Sequence, residues 1–180
     1  MASGSWVSSS AAYVRPPEVG APDAWTTEAA QRGGRGTQRI VHAGEVRAGP
    51  QVAPLLHMEE DQTVVVRRRI IYLDDVPTEL TDTYYPASIA ANTALAESAK
   101  IRGGAIALLH ELGYVGSHVR EEVSARLPDT GERDVLDLEE TQPVLTLVRV
   151  TLDVTGTPIQ ADLMTMPAHR QRLRYEMPLP

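Results

Sequence analysis

Two stretches of the chain repeat one another at a constant spacing. Leu55–Asp75 reads LLHMEEDQTVVVRRRIIYLDD and Val135–Gly156 reads VLDLEETQPVLTLVRVTLDVTG. Leu56 falls on Leu136, Glu59-Glu60 on Glu139-Glu140, Gln62 on Gln142, Val64 on Val144 and Arg69 on Arg149, always 80 positions further on. Each copy predicts a short helix, a Glu-Glu-x-Gln turn, a long β-branched strand, a second turn and a returning strand, TELTDTYYP in the first and TPIQADLMTMP in the second. A lone hairpin is marginal in water, whereas two helix-hairpin units sharing one sheet can hold a core. Two copies are too few for a solenoid. The repeat therefore predicts an α+β fold: an antiparallel sheet flanked by helices, pseudo-twofold, with a concavity where the halves meet. The strand at 117–127 and the terminal RLRYEM are expected to join the two hairpins.

The rest of the chain fits around this unit. TQRIVHAGEVRAG alternates as a strand, and PQVAPLLHM, with Val52, Leu55 and Leu56 on one face, predicts the first helix. GGAIALLHELG predicts a helix with Ala105, Leu108, Leu109 and Leu112 on its apolar side and Gly113 as its C-terminal stop. Residues 1–36 are rich in Ser, Gly, Ala and Pro and carry no useful period, so they are expected to form an arm ahead of a domain at 37–180. Trp6 and Trp25 are expected to tack that arm to the body, with closure of Trp25 over a ligand as the alternative.

At 180 residues the chain is about one domain. No apolar run approaches the roughly 18 residues of a membrane span, and the N-terminus lacks the apolar core of a signal peptide, so a cytoplasmic location is expected. Without cysteine there is no disulfide, thiolate metal site or Cys nucleophile. The net charge of −7 argues against direct nucleic-acid binding by this chain. His110 and His118 are not at metal-ligand spacing, and RGGRG follows no strand as a phosphate loop would, so neither a metal nor a cofactor is expected.

The ordered motifs VVVRRRIIYLDDVPTELTDTYYPASIA, LAESAKIRGGAIALLHELGY, VREEVSARLP and QPVLTLVRVTLDVTGTPIQADLMTMPAHRQRLRYEM resemble the UTRA effector-binding domain of GntR/HutC transcription regulators, in its actinobacterial branch. The resemblance runs from about Trp25 to Met177. It implies the chorismate lyase fold, a bound small molecule, a homodimer, and control of an N-terminal winged helix-turn-helix. The stretch ahead of the body here is too short for such a reader, although AAYVRPP resembles the tail of its wing.

The same resemblance suggests where a ligand lies: over the sheet, held by strand side chains. Arg69 matches the first arginine of the Arg-x-Arg pair of sugar-phosphate-binding members, but Ile71 stands at the second. Thr81 and Gln160 stand where glutamates are usual. A phosphorylated sugar is therefore not expected, because a dianion needs converging donors. Thr83 matches the family's hydroxyl before Tyr84. Arg69, Thr83, Tyr85, Arg120, Glu122 and Met164 are the candidate ligand-binding residues, with Arg120 and Glu122 on one face of an alternating strand.

Three functions follow. The first is a small-molecule sensor domain of a regulator, here without its DNA-binding domain. The second is a cofactor-free cyclase, isomerase or lyase acting on an apolar secondary metabolite, with Arg120 or Arg69 stabilising negative charge and Glu122 as acid or base. The third is a stand-alone binder that sequesters a metabolite.

Overall fold

The computed structural model describes residues 6–8 and 24–176. Its main sheet has six strands in the order β2-β3-β4-β7-β6-β5: β2 (Gly36–Arg47), β3 (Thr63–Leu73), β4 (Val76–Pro86), β5 (His118–Arg126), β6 (Val144–Leu152) and β7 (Pro158–Pro167). Every neighbouring pair is antiparallel. The order reads the same from either edge once the second copy is laid on the first. The repeated unit is therefore one strand longer than the sequence pattern indicates: β2 and β5 open the two copies, followed by the helices α2 (Gly49–Val52) and α5 (Thr130–Leu136) and the hairpins β3-β4 and β6-β7.

The duplication extends to single atoms. His57 and Asp137, 80 positions apart, both take positive φ, at 54° and 53°. Gln62 Oε1 accepts from the Glu59 amide at 2.7 Å, and Gln142 Oε1 from the Glu139 amide at 3.0 Å. The ladder slips at Ile71/Tyr72 in one hairpin and at Thr151/Leu152 in the other. The Glu-Glu-x-Gln turn is thus a side-chain-locked corner between helix and strand.

Two expected joints differ. The hairpins pair directly through β4 and β7, from Leu80 opposite Thr165 to Tyr84 opposite Ala161, and the strand expected between them, β5, lies at the sheet's edge. The reason is burial: β7 is covered on both faces for nearly its whole length, whereas β5, with Arg120, Glu121, Glu122 and Arg126, is exposed almost throughout. The terminal RLRYEM contributes β8 (Gln171–Leu173), which pairs in parallel with β1 (Trp6–Ser8) as a separate ribbon.

The first helix is also shorter than PQVAPLLHM suggests. It stops at Val52 because Pro54 has no amide to donate. Its counterpart α5 has no proline and a reciprocal capping box between Asp129 and Glu132, and runs seven residues. Within the expected arm, Ala24–Gln31 forms a helix, α1. Tertiary contacts hold it: Trp25 Nε1 donates to the Tyr72 carbonyl at 3.0 Å, Ala29 is buried, and Gly36 passes both so closely that a side chain would not fit. The Trp6 side chain lies outside the described residues.

Both sheet faces carry a core. On one, Val64, Val66, Tyr84, Val150 and Ala161 pack against Val52, Ala53 and Leu56. On the other, Val65, Tyr85 and Ile159 meet Ile89 and Ala90 of α3 (Ala87–Ala90), Leu95, and Leu109 of α4 (Gly104–Glu111). Gly113, at φ 88°, stops α4 as its position predicts.

Candidate functional site

The second face is not filled along its whole length. Between the sheet and a roof made by Trp25 and the segment 100–106 lies a cavity of about 240 Å³. Because strand side chains alternate between faces, its floor is a grid of every second residue: Arg67, Arg69 and Ile71 on β3; Glu79, Thr81, Thr83 and Tyr85 on β4; Gln160, Asp162, Met164 and Met166 on β7; Leu147 and Arg149 on β6.

A chain of hydrogen bonds crosses four strands of that floor. Arg69 donates through one terminal nitrogen to Gln38 Oε1 at 3.3 Å and through the other to Thr83 Oγ1 at 2.8 Å. The Thr83 hydroxyl donates to Asp162 Oδ1 at 2.7 Å, and Gln160 Nε2 donates to Asp162 Oδ2 at 2.8 Å. Arg149, the repeat partner of Arg69, is buried and donates through Nε to Glu121 Oε1 at 2.6 Å. Arg67 is committed elsewhere: its guanidinium donates to the carbonyls of Ala94, Leu95, Glu97 and Ala99, at 2.6–3.1 Å, and pins the 94–99 segment to the sheet. Burial lowers its pKa.

The charges are thus largely matched within the protein: Asp162 is bridged to Arg69 through Thr83, and Glu121 is paired with Arg149. Glu79 accepts a hydrogen bond from Thr81, yet desolvation raises its pKa above the ordinary glutamate value of 4.5. Burial likewise pushes the Tyr85 phenol up. Among the described residues, three buried side-chain polar atoms lack a hydrogen-bond partner: Arg69 Nε, Gln160 Oε1 and Gln171 Oε1. All three residues line this cavity. A folded protein rarely leaves such groups unmet, and because each of these atoms is shielded from a molecule the size of water, a bound molecule reaches them only where the side chains turn.

Of the residues singled out in the sequence, the structure brings Arg69, Thr83, Tyr85 and Met164 together here. Arg120 and Glu122 are not with them. On β5 it is Glu121 that turns to the cavity face, toward Arg149, so both neighbours point to the opposite face, where they are solvent-exposed. Arg149, Asp162, Glu79 and Gln171 were not anticipated. The repeat could have disclosed Arg149, since it lies 80 positions after Arg69. Asp162 depends on its register opposite Thr83, across a strand pairing that sequence order does not reveal. Trp25 both anchors α1 and lines the cavity.

The UTRA domain family matches residues 31–172. An HTH-type transcriptional regulator of Streptomyces coelicolor is 27% identical over 155 residues, 84% of this chain and 58% of its own length. The histidine utilization repressor of Pseudomonas aeruginosa is 29% identical over 148 residues, 81% of this chain and 57% of its own. The chain thus spans little more than half the length of these curated relatives. Among solved structures, PhnF from Mycobacterium smegmatis superposes with a TM-score of 0.77 at 20% identity, covering 93% of this chain and 72% of that one. The PhnF effector domain alone gives 0.74 at 21% identity, covering 92% and 99%. These similarities show a shared fold.

Proposed function

This chain belongs to the UTRA domain family, homologous to the effector domains of GntR/HutC-type regulators, and from that premise we propose that it is a small-molecule sensor domain whose ligand occupies the cavity on the sheet. The observation that carries the proposal is that the three residues with an unpartnered buried side-chain atom, Arg69, Gln160 and Gln171, all line that one cavity. Arg69, Thr83 and Tyr85 contact the polar edge of the ligand, and Met164 its apolar body.

Charge matching selects the ligand class. A phosphate dianion needs several uncommitted cationic donors. Here Arg67 is spent on carbonyls and the outer nitrogens of Arg69 on Gln38 and Thr83, Arg149 is paired through Nε with Glu121, and the carboxyl groups of Glu79 and Asp162 line the same space as Lys100. The cavity suits an uncharged molecule, or one with balanced charge, that offers one acceptor and at least two donors on one edge and an apolar opposite side. It does not suit a sugar phosphate. Arg120 and Glu122 lie across the sheet from this space, so the acid or base of the catalytic alternative, Glu122, is outside it.

The domain works as a homodimer in the cytoplasm, and occupancy of the cavity is read out as the DNA affinity of a regulator; the acidic chain itself does not touch DNA. No helix among the described residues is long and apolar enough to cross a membrane. The test is a mass-spectrometric comparison of a metabolite extract before and after incubation with the purified protein. A compound depleted from solution and recovered unchanged from the protein supports the sensor. A compound converted to another mass would make the protein an enzyme, and an untouched extract together with an unshifted melting temperature would count against a ligand in that extract.

A further inference from the structure

Glu79 is the carboxyl group of the cavity that the protein itself leaves uncompensated. Asp162 is bridged to Arg69 through Thr83, and Glu121, beside the floor, is held by Arg149 at 2.6 Å. Glu79 accepts one hydrogen bond, from the Thr81 hydroxyl to its Oε1, and among the described residues no cation forms an ion pair with it. Its Oε2 has no donor from those residues, and unlike Arg69 Nε or Gln160 Oε1 it is not sealed off. The surroundings are apolar: Ile71 stands opposite Glu79 on β3, and Met166 and Leu173 line the same cavity. The charged groups acting on Glu79 are Arg69, Arg149 and Asp162; Arg67 and Lys100, which also line the cavity, are not among them. Loss of hydration outweighs the pull of the two arginines, whose nitrogens are directed to Gln38, Thr83 and Glu121.

We propose that the ligand of this cavity carries a basic nitrogen, and that its protonated form docks on Glu79 as its counter-ion. This rests on the sensor reading above and names the ligand's class, an organic amine or amidine on an apolar body. A carboxyl group cut off from water is stable when it is paired or protonated. A neutral donor satisfies the oxygen but leaves the charge, whereas an ammonium satisfies both through a charge-assisted hydrogen bond. A carboxylate or phosphate in the same place is repelled by Glu79 and Asp162 together. Arg69 and Arg149 do not cancel the preference, because their charges are already tied to Asp162 and Glu121. Of the molecules with balanced charge that suit the cavity, Glu79 selects those with the positive group at its end.

Three probes that share one apolar body test this: cyclohexylmethylamine, cyclohexylmethanol and cyclohexanecarboxylate. The chain has five methionines, so selective labelling of their methyl groups gives few resonances, and those of Met164 and Met166 report occupancy of the cavity. Titrated at neutral pH, the amine should bind about tenfold more tightly than the alcohol, and the carboxylate more weakly than either. Glu79→Gln should abolish the preference for the amine over the alcohol, and Glu79→Asp, which keeps the charge, should retain most of it. The wild-type comparison stands whether or not the glutamine variant folds. An alcohol bound as tightly as the amine would overturn the amine assignment and leave the cavity as the ligand site. A preference that survives Glu79→Gln would overturn the role of Glu79. Met164 and Met166 resonances that none of the probes moves would overturn the assignment together with the cavity reading beneath it.

Discussion

The two halves of the cavity floor share a backbone and little else. Register relates Arg67 to Leu147, Thr83 to Met164, Tyr85 to Met166 and Glu79 to Gln160, with Arg69 and Arg149 the one identical pair. At these four positions the first copy presents an arginine, a hydroxyl, a phenol and a carboxyl, whereas the second presents a leucine, two methionines and a glutamine. Duplication thus supplied the same corners, slips and strand lengths twice, while the side chains diverged into a polar wall and an apolar wall. A ligand between them is oriented by that difference: its hydrogen-bonding edge lies against the first copy and the Gln160–Asp162 end of the second, and its apolar part against Met164 and Met166. Even the shared arginines differ in use, Arg69 being tied into the hydrogen-bond chain and Arg149 neutralised by Glu121.

Replacing a residue of one copy by its counterpart in the other tests this asymmetry. The largest effect is expected from Arg67→Leu, which leaves four carbonyls without their donor: a loss of about 3 kcal/mol in urea-induced unfolding. The reverse exchange on the apolar wall, Met164→Thr, should cost about 2 kcal/mol, because a side chain only 7% exposed loses its packing and a hydroxyl enters apolar surroundings. Thr83→Met removes the link between Arg69 and Asp162 and fills part of the cavity. Calorimetry with the compound recovered from extract should show affinity reduced about tenfold, equivalent to about 1.4 kcal/mol.

The smallest effect, and the only one with a pH signature, belongs to Glu79→Gln. The folded-state pKa of Glu79 lies above the ordinary 4.5, so between those values the folded protein binds more protons than the unfolded chain, and stability falls as pH rises through the window. Below about pH 4.5 the group is protonated in both states and the penalty vanishes. The glutamine variant should therefore melt higher than the wild type at pH 7 and equally with it at pH 4. A variant that is less stable at pH 7 would show that the ionised carboxylate is held favourably by Arg69 and Arg149.

Much of the fold was legible because the repeat carries its own punctuation. The Glu-Glu-x-Gln corner and the β-branched run after it specify a turn and a strand locally, and doing so twice implies a pseudo-twofold sheet. What was not legible depends on contacts distant in sequence. α1 has a weak pattern and exists because Trp25 and Ala29 find Tyr72 and Gly36. The direct β4–β7 pairing is a choice among partners that hydrophobic pattern alone leaves open. The same limit applied to the site: Arg69, Thr83, Tyr85 and Met164 sit on strands whose cavity face follows from alternation, whereas Arg120 and Glu122 were one residue out of phase on β5, and a one-residue error on a strand reverses the face. Only the contact between Glu121 and Arg149 fixes that phase.

The central claim is that one duplicated scaffold holds its ligand between unlike walls. A crystal structure of the protein with the compound recovered from extract tests it most directly. The account predicts the polar edge of the compound within hydrogen-bonding distance of Arg69 Nε, Gln160 Oε1 and Gln171 Oε1, with its apolar part on Met164 and Met166. A compound bound in the reverse orientation, or on the face that carries Arg120 and Glu122, would contradict it.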